Sequence, residues 1–333
     1  MSIFQRSKSK ITLFYREIVN NQKIIITDGV PSSGKSLICN LISSLPKVDP
    51  WVLCHYVEHV IALNKLRVLN DNVSEYLIKT NHNVLYHDHL LLRNINFRKS
   101  DISSIQKNPK FRILKKRLNF DETKVLRENK NKVISHFCLH FASIAKKILF
   151  QTFKDKLVYI QVYRSPITFS MINRIANWSI QIENSKSRDG HIKFFDKNLK
   201  KNFPYFIKDR AKEYISANKY ERAIMIIEKN FSLDKIDYRK YSKKYNSYEL
   251  IVPFEKLIED PKKYLQKIGS QVSSKVDKFT YESFRKNRVP RKNNLSKEKK
   301  ETLKFLKNKI RSIYFNKLIN LEKLYEKKIT QKF

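Results

Sequence analysis

Three groups of residues in this sequence have types and spacings that could do chemistry. In "TDGVPSSGKSLI", residues 27–38, Gly29, Gly34, Lys35 and Ser36 satisfy G-x-x-x-x-G-K-[ST]. That spacing serves anion binding: backbone N–H groups and a helix N-terminus face a phosphate, and the lysine reaches its outer oxygens. Only four glycines occur in 333 residues and two of them sit here, so an accidental tight turn is a poor explanation. The second group is Arg164, which ends the apolar run "LVYIQVY" and would offer a second anion site. The third is His82, His87, Asp88 and His89, which have the residue types of a metal site. That cluster lacks cysteines, and its i, i+2 spacing suits a strand better than a helix.

The elements that must position these groups follow from the apolar pattern. "KIII" at 23–26 is a β-branched run that reads as a buried strand, and "SLICNLISSL" after the loop has helical spacing. "PWVLCHYVEHVIALNKL" (50–66) is again helical, whereas the polar stretch that follows, with "YHDHLLLRNINFRKSDISSIQKNP", reads as loops and short helices over one face. Residues 139–153 are helical, "LVYIQVY" (157–163) is the clearest second strand, and "ITFSMINRIANWSIQI" is a helix. "YELIVPF" (248–254) reads as a third strand, followed by a helix that Pro261 initiates. Strands alternating with helices predict an α/β, P-loop-type three-layer fold. A mostly parallel central sheet would be flanked by helices, with ligands at the carboxyl ends of its strands.

No repeat or low-complexity linker divides the chain, so residues 1–333 are expected to form a single P-loop domain. Residues 184–245, polar and aromatic apart from a helix at 221–231, read as a lid or acceptor insertion. Residues 296–333 read as a charged helical tail whose apolar stripe packs on the sheet's flank. The net charge of +38 comes from 69 Lys+Arg against 31 Asp+Glu. Because Lys, Asn and Ile are abundant throughout, the charge reads as a chain-wide bias, and no specific nucleic-acid partner is expected. Three cysteines without a C-x-x-C pair fit a reducing cytoplasm. No secretory leader pattern and no 18-residue apolar run occurs, so neither secretion nor a membrane span is expected.

Lys35 and Ser36 alone would suit an ATP or GTP site with magnesium on Ser36. That chemistry also needs an acidic residue at the end of a neighbouring strand. Asp88 follows an apolar run of only three residues, and the strand at 157–163 ends in Arg164, Ser165 and Pro166. Two phosphate sites on one parallel sheet suggest a nucleotide phosphorylated at both its 5′ and 3′ positions. Here the sequence resembles the sulfotransferase family, which uses 3′-phosphoadenosine 5′-phosphosulfate (PAPS) as sulfuryl donor. "PSSGKS" is similar to the family's P-[KR]-S-G-T-[TS] loop, which implies donor contacts from Pro31, Ser32, Ser33, Gly34, Lys35 and Ser36. "VYRSPITFS" is similar to its strand, R-[DN]-P and helical serine, implying 3′-phosphate contacts from Arg164 and Ser170. "VPFEKLIEDPKKYLQKI" resembles its "yEdL..dP" segment, and "FRKNRVPRKNNLS" its R-K-G segment, implying Arg285 and Lys286 as further 3′-phosphate ligands.

The departures from the family pattern bear on chemistry. Ser32 stands where the family has a basic residue and Lys35 where it has threonine; the serine at 170 comes six residues after Arg164, not eight. The "ISH" of "KVISHFCLHFASI" resembles the family's K-[ST]-H-L-P segment, which implies His136 as catalytic base, with Ile134 in place of the lysine. His140 lies one helical turn on and would share its face. Glu58 in "HYVEHV" is the alternative base. The implied activity is sulfuryl transfer from PAPS to a hydroxyl or amine of a small-molecule or glycan acceptor, with no metal. An ATP-dependent small-molecule kinase and a non-enzymatic P-loop binder of a polyanion remain open alternatives.

Overall fold

The computed structural model describes residues 16–20, 22–184, 192–232 and 239–327. In chain order the elements begin β1 (Ile24–Asp28), α1 (Lys35–Ile42), β2 (Val52–Leu53), α2 (His55–Lys65) and α3 (Asp71–Leu90). Next come α4 (Phe111–Lys115), α5 (Glu122–Asn129), β3 (Ser135–Cys138), α6 (Lys147–Phe153), β4 (Leu157–Tyr163) and α7 (Phe169–Glu183). A hairpin of β5 (Lys193–Asp196) and β6 (Lys201–Pro204) leads to α8 (Ala211–Ser216), α9 (Lys219–Ser232), α10 (Arg239–Tyr245) and β7 (Tyr248–Pro253). Last are α11 (Phe254–Glu259), α12 (Pro261–Gln271), α13 (Lys278–Lys286), α14 (Leu295–Lys307) and α15 (Ser312–Tyr325).

Five strands form one sheet in the order β2-β3-β1-β4-β7, and every pairing in it is parallel. The expected three-layer α/β architecture is therefore present. The period-2 alternation of a strand divides β1 between two cores. Ile25 packs with Ile38 and Leu41 of α1, Val158, Ile160 and Leu265 on one face. Ile24 and Ile26 pack with Tyr159, Val57 and Ile61 of α2 and Phe150 of α6 on the other. After β1 the chain builds β2 and β3 on one side of it and β4 and β7 on the other, so β1 lies at the switch point where α/β sheets bind ligands.

The described residues of 192–232 and the C-terminal helices share a third apolar cluster with α7. Phe203, Phe206, Tyr214 and Ile224 meet Ile172, Ile175 and Trp178 there, and Leu306, Tyr314 and Leu318 close it. The largest departure from the sequence reading is α3, a 20-residue helix where loops and short helices were expected. Asn70 caps it, its side chain accepting from Val73 N at 2.9 Å. Its inner face runs Ser74, Ile78, His82, Tyr86, Leu90, so three of these five buried positions are polar or amphipathic and the apolar period is faint. Among the described residues no helix is long and apolar enough to cross a membrane.

Candidate active site

The loop between β1 and α1 has the backbone that its glycines predict. Gly34 sits at φ 99°, where a Cβ would lie 2.1 Å from Phe254 Cδ2, and a Cβ on Gly29 would lie 2.6 Å from Val162 O. Only glycine fits either position without displacing a neighbour. Lys35 opens α1, whose first N–H groups have no intrahelical acceptor. Its ammonium turns inward and donates to Gly29 O at 2.5 Å and Val30 O at 2.8 Å. Burial lowers its pKa, while the charges of Asp28 and Glu58 oppose the shift. Two of the ammonium's three N–H groups are thus used. Ser33 Oγ is buried and, among the described residues, has no hydrogen-bond partner.

On the β3 side, the histidine singled out from sequence is not at the strand end. His136 lies within β3 in register with Ile25, so it faces α1, and it is 1% exposed. Thr27 Oγ1 is 2.9 Å from its Nε2 and Ser43 Oγ is 3.2 Å from its Nδ1. Both ring nitrogens are engaged inside the protein, and burial pushes its pKa down to about 3. His136 is therefore a packed core histidine and not a base in reach of an acceptor. His140 lies two residues past the carboxyl end of the strand, Cys138.

Glu58 of α2 holds His140 in place. Its Oε1 accepts from His140 N at 2.6 Å and lies 3.1 Å from His140 Nδ1, and its Oε2 lies 2.9 Å from His55 Nδ1. The imidazoles of His55 and His140 stack at 6.1 Å. Burial lowers the pKa of His140, helped by the charge of Lys35 and opposed by Glu58, so the ring is neutral near pH 7. Glu58 is buried with both oxygens occupied, the arrangement of an orienting carboxylate and not of a free base. Tyr205 completes this corner: burial raises its pKa, and so do the charges of Asp28 and Glu58.

On the β4 side, Arg164 leans on the loop itself, donating from Nη1 to Ser32 O at 3.3 Å, and its guanidinium stacks 4.7 Å from the Phe254 ring. Among the described residues its Nε is buried and unpartnered, while its Nη2 lies 3.6 Å from Glu298 Oε2. Burial chiefly lowers its pKa; Glu298 opposes the shift and the like charge of Arg291 adds to it. Arg164, Phe254, Arg291, Lys292 and Glu298 line one cavity of 460 Å³ at the start of α14. Arg285 and Lys286 do not line it. Both are exposed on α13, and Lys286 pairs with Glu282 at 2.8 Å and lines a separate cavity beside Trp51 and Asn108. The sequence held the signal for the difference, since R-K-N occurs twice, at 285–287 and 291–293, and it is the second copy that meets Arg164. Ser170 is exposed in the first turn of α7, whereas Ile172 is fully buried.

Asp28 and the histidines of α3 are engaged locally. Asp28 accepts from Ala142 N, Ser143 N and Tyr159 OH, so its carboxylate fastens the segment after β3. His82, His87, Asp88 and His89 lie on a helix, not a strand, and point different ways. His82 is packed edge-on to Phe137 and Phe153, His87 is near Glu122, and His89 is near Asp49. Among the described residues, the His55, Glu58 and His140 donor atoms do lie within 4.8 Å of one another, a spacing a metal ion could use. The ammonium of Lys35 acts on the same carboxylate and disfavours a second cation there.

No family model matches the sequence, and no curated protein matches it. Solved structures similar to the chain include the sulfotransferase domain of the Synechococcus PCC 7002 olefin synthase, at 14% identity and a TM-score of 0.44. That alignment covers 92% of this chain and 95% of that domain. A sulfotransferase domain from the curacin biosynthetic pathway aligns at 12% identity and a TM-score of 0.40, covering 80% of this chain and 78% of that one. A sulfotransferase from Mycobacterium avium aligns at 10% identity and a TM-score of 0.38, covering 93% and 76%. Likenesses this distant carry no weight for chemistry; the disposition of charged groups around the loop does.

Proposed function

We propose that this chain is a PAPS-dependent sulfotransferase that moves a sulfuryl group to a hydroxyl or amine of a small-molecule or glycan acceptor. One observation carries the reading. The glycine loop lies between a neutral histidine oriented by a carboxylate and a cavity where Arg164 meets Arg291 and Lys292. The donor fits these residues, since the orphaned Ser33 Oγ and Arg164 Nε lie on the loop and in the cavity that Arg291 and Lys292 line beside Glu298. When bound, it supplies an electrophilic sulfuryl group on a phosphate leaving group.

The loop N–H groups and Lys35 hold the 5′ end, and Arg164, Arg291 and Lys292 bind the 3′-phosphate through charge-assisted hydrogen bonds. In this reading Glu58 orients His140 through Nδ1, and the imidazole takes the acceptor's proton as the new S–O or S–N bond forms. As the old S–O bond breaks, Lys35 neutralises charge on the departing phosphate oxygen.

The test uses adenosine 3′,5′-bisphosphate in metal-free buffer. At 100 times its dissociation constant it should stabilise the native protein by about 2.7 kcal/mol, visible as a raised Tm. Lys35→Ala and Arg164→Ala should each diminish the effect, and AMP, which lacks the 3′ group, should be insensitive to the second change. Strong stabilisation by magnesium-ATP with none from the bisphosphate would overturn the reading in favour of a kinase.

A further inference from the structure

We propose that the acceptor carries an anionic group on an apolar body, held in a groove between the end of α2 and the segment from β6 to α9. The inference deepens the sulfuryl-transfer reading and rests on it for the identity of the reaction. Two adjoining hollows of 470 and 370 Å³ share Lys65 and Ile144 in their walls. Tyr205, Phe206, Leu66 and Ile144 provide the first with an apolar and aromatic floor. The floor leads to the chemistry in two ways. Ile144 follows His140 by four residues along the segment that Asp28 fastens, and Tyr205 lies within electrostatic reach of Glu58.

The rim is basic, and its charges are unevenly matched. Lys146 is paired with Glu249 at 2.5 Å, Lys147 with Asp71 at 3.2 Å and Lys229 with Asp209 at 3.0 Å. Lys65, Arg67 and Lys208 line the same groove, and among the described residues none of the three has an ion-pair partner. The Lys208 ammonium lies 5.6 Å from the ring of Phe194. Three uncompensated cations above an aromatic floor fit an amphipathic anion, which gains the apolar contact and neutralises the rim at once. A neutral acceptor would gain only the first.

The experiment measures direct binding of two fluorescent probes, 6-hydroxy-2-naphthoate and its neutral methyl ester, to the full chain saturated with adenosine 3′,5′-bisphosphate. The carboxylate should bind about tenfold more tightly than the ester, the factor expected from a charge-assisted contact. Lys65→Glu combined with Lys208→Glu should erase that preference; both side chains are exposed, so the fold should survive. Lys267→Glu, an exposed change on α12, controls for the general charge of the chain and should leave the preference intact. Equal binding of ester and carboxylate, no binding of either, or a preference untouched by the double change would overturn the proposal. Failure of the bisphosphate to bind while the lysine-dependent preference persists would instead sink the donor reading and leave the groove standing.

Discussion

A histidine serves as a base only where one ring nitrogen keeps its lone pair toward the reacting atoms. His136 fails this condition because it spends both nitrogens on Thr27 and Ser43, whereas on His140 it is Nδ1 that Glu58 engages. The two residues therefore predict different losses. His140→Ala should lower turnover by about 10²- to 10⁴-fold with bisphosphate affinity retained, the range for a general base. His136→Ala should cost roughly 1–3 kcal/mol of stability by leaving Thr27 and Ser43 unpaired, and should leave turnover near the wild-type value in protein that remains folded. The pH profile adds a check. With its pKa lowered from 6.5, His140 should leave the rate flat through neutrality and produce an acid limb only below that value. Full turnover in His140→Ala with an identified acceptor would remove it from the mechanism.

Elements decide whether such residues arrive together, and the turn after β4 is held by the far end of the chain. Ser165 N donates to Glu255 Oε1 at 3.0 Å, and Ser165 Oγ donates to Glu322 Oε2 of α15 at 2.6 Å. Tyr325 OH donates to the same Glu255, and Lys299 of α14 pairs with Glu322. Since Arg164 precedes this pinned serine, Glu322→Ala should loosen the guanidinium and weaken adenosine 3′,5′-bisphosphate by about tenfold, with AMP little changed. Titration calorimetry on both nucleotides would check it, and equal losses for the two would refute a specific pin. This coupling is not legible in the sequence, where α15 reads only as a helix with an apolar stripe. The strands at 23–26, 157–163 and 248–254 and the loop between β1 and α1 were legible because short apolar runs and paired glycines are local signals. The helix α3 was not, because Ser74 and His82 occupy its buried face. The burial of His136 was not legible because a motif matched by letters says nothing about which face of β3 a side chain takes. Arg291 was missed because a nearer R-K-N came first.

At the scale of the whole molecule, buried neutral histidines set how the fold responds to acid. Burial lowers His82 to about 4 and His136 to about 3, from 6.5 in an unfolded chain, and lowers His89 and His140 as well. Between those folded values and 6.5 the unfolded chain binds protons that the native one refuses. Stability must therefore fall as pH drops below about 6.5, each such histidine adding a slope of up to about 1.4 kcal/mol per pH unit. Carboxylates act further down: Glu213, lowered to about 2 by its Arg210 hydrogen bonds, loses its contribution only as pH falls through the carboxylate range. The expected outcome is a urea midpoint steady near neutrality that declines steeply from pH 6.5 to 4.5, before most carboxylates are protonated. His136→Gln should be less stable at pH 7 yet show a shallower decline across that window, because one proton has left the balance. A midpoint flat between pH 6.5 and 4.5, or a decline no shallower in the variant, would mean that these rings gain water or protons without unfolding, and the core around β3 and α1 would have to be looser than its packing indicates.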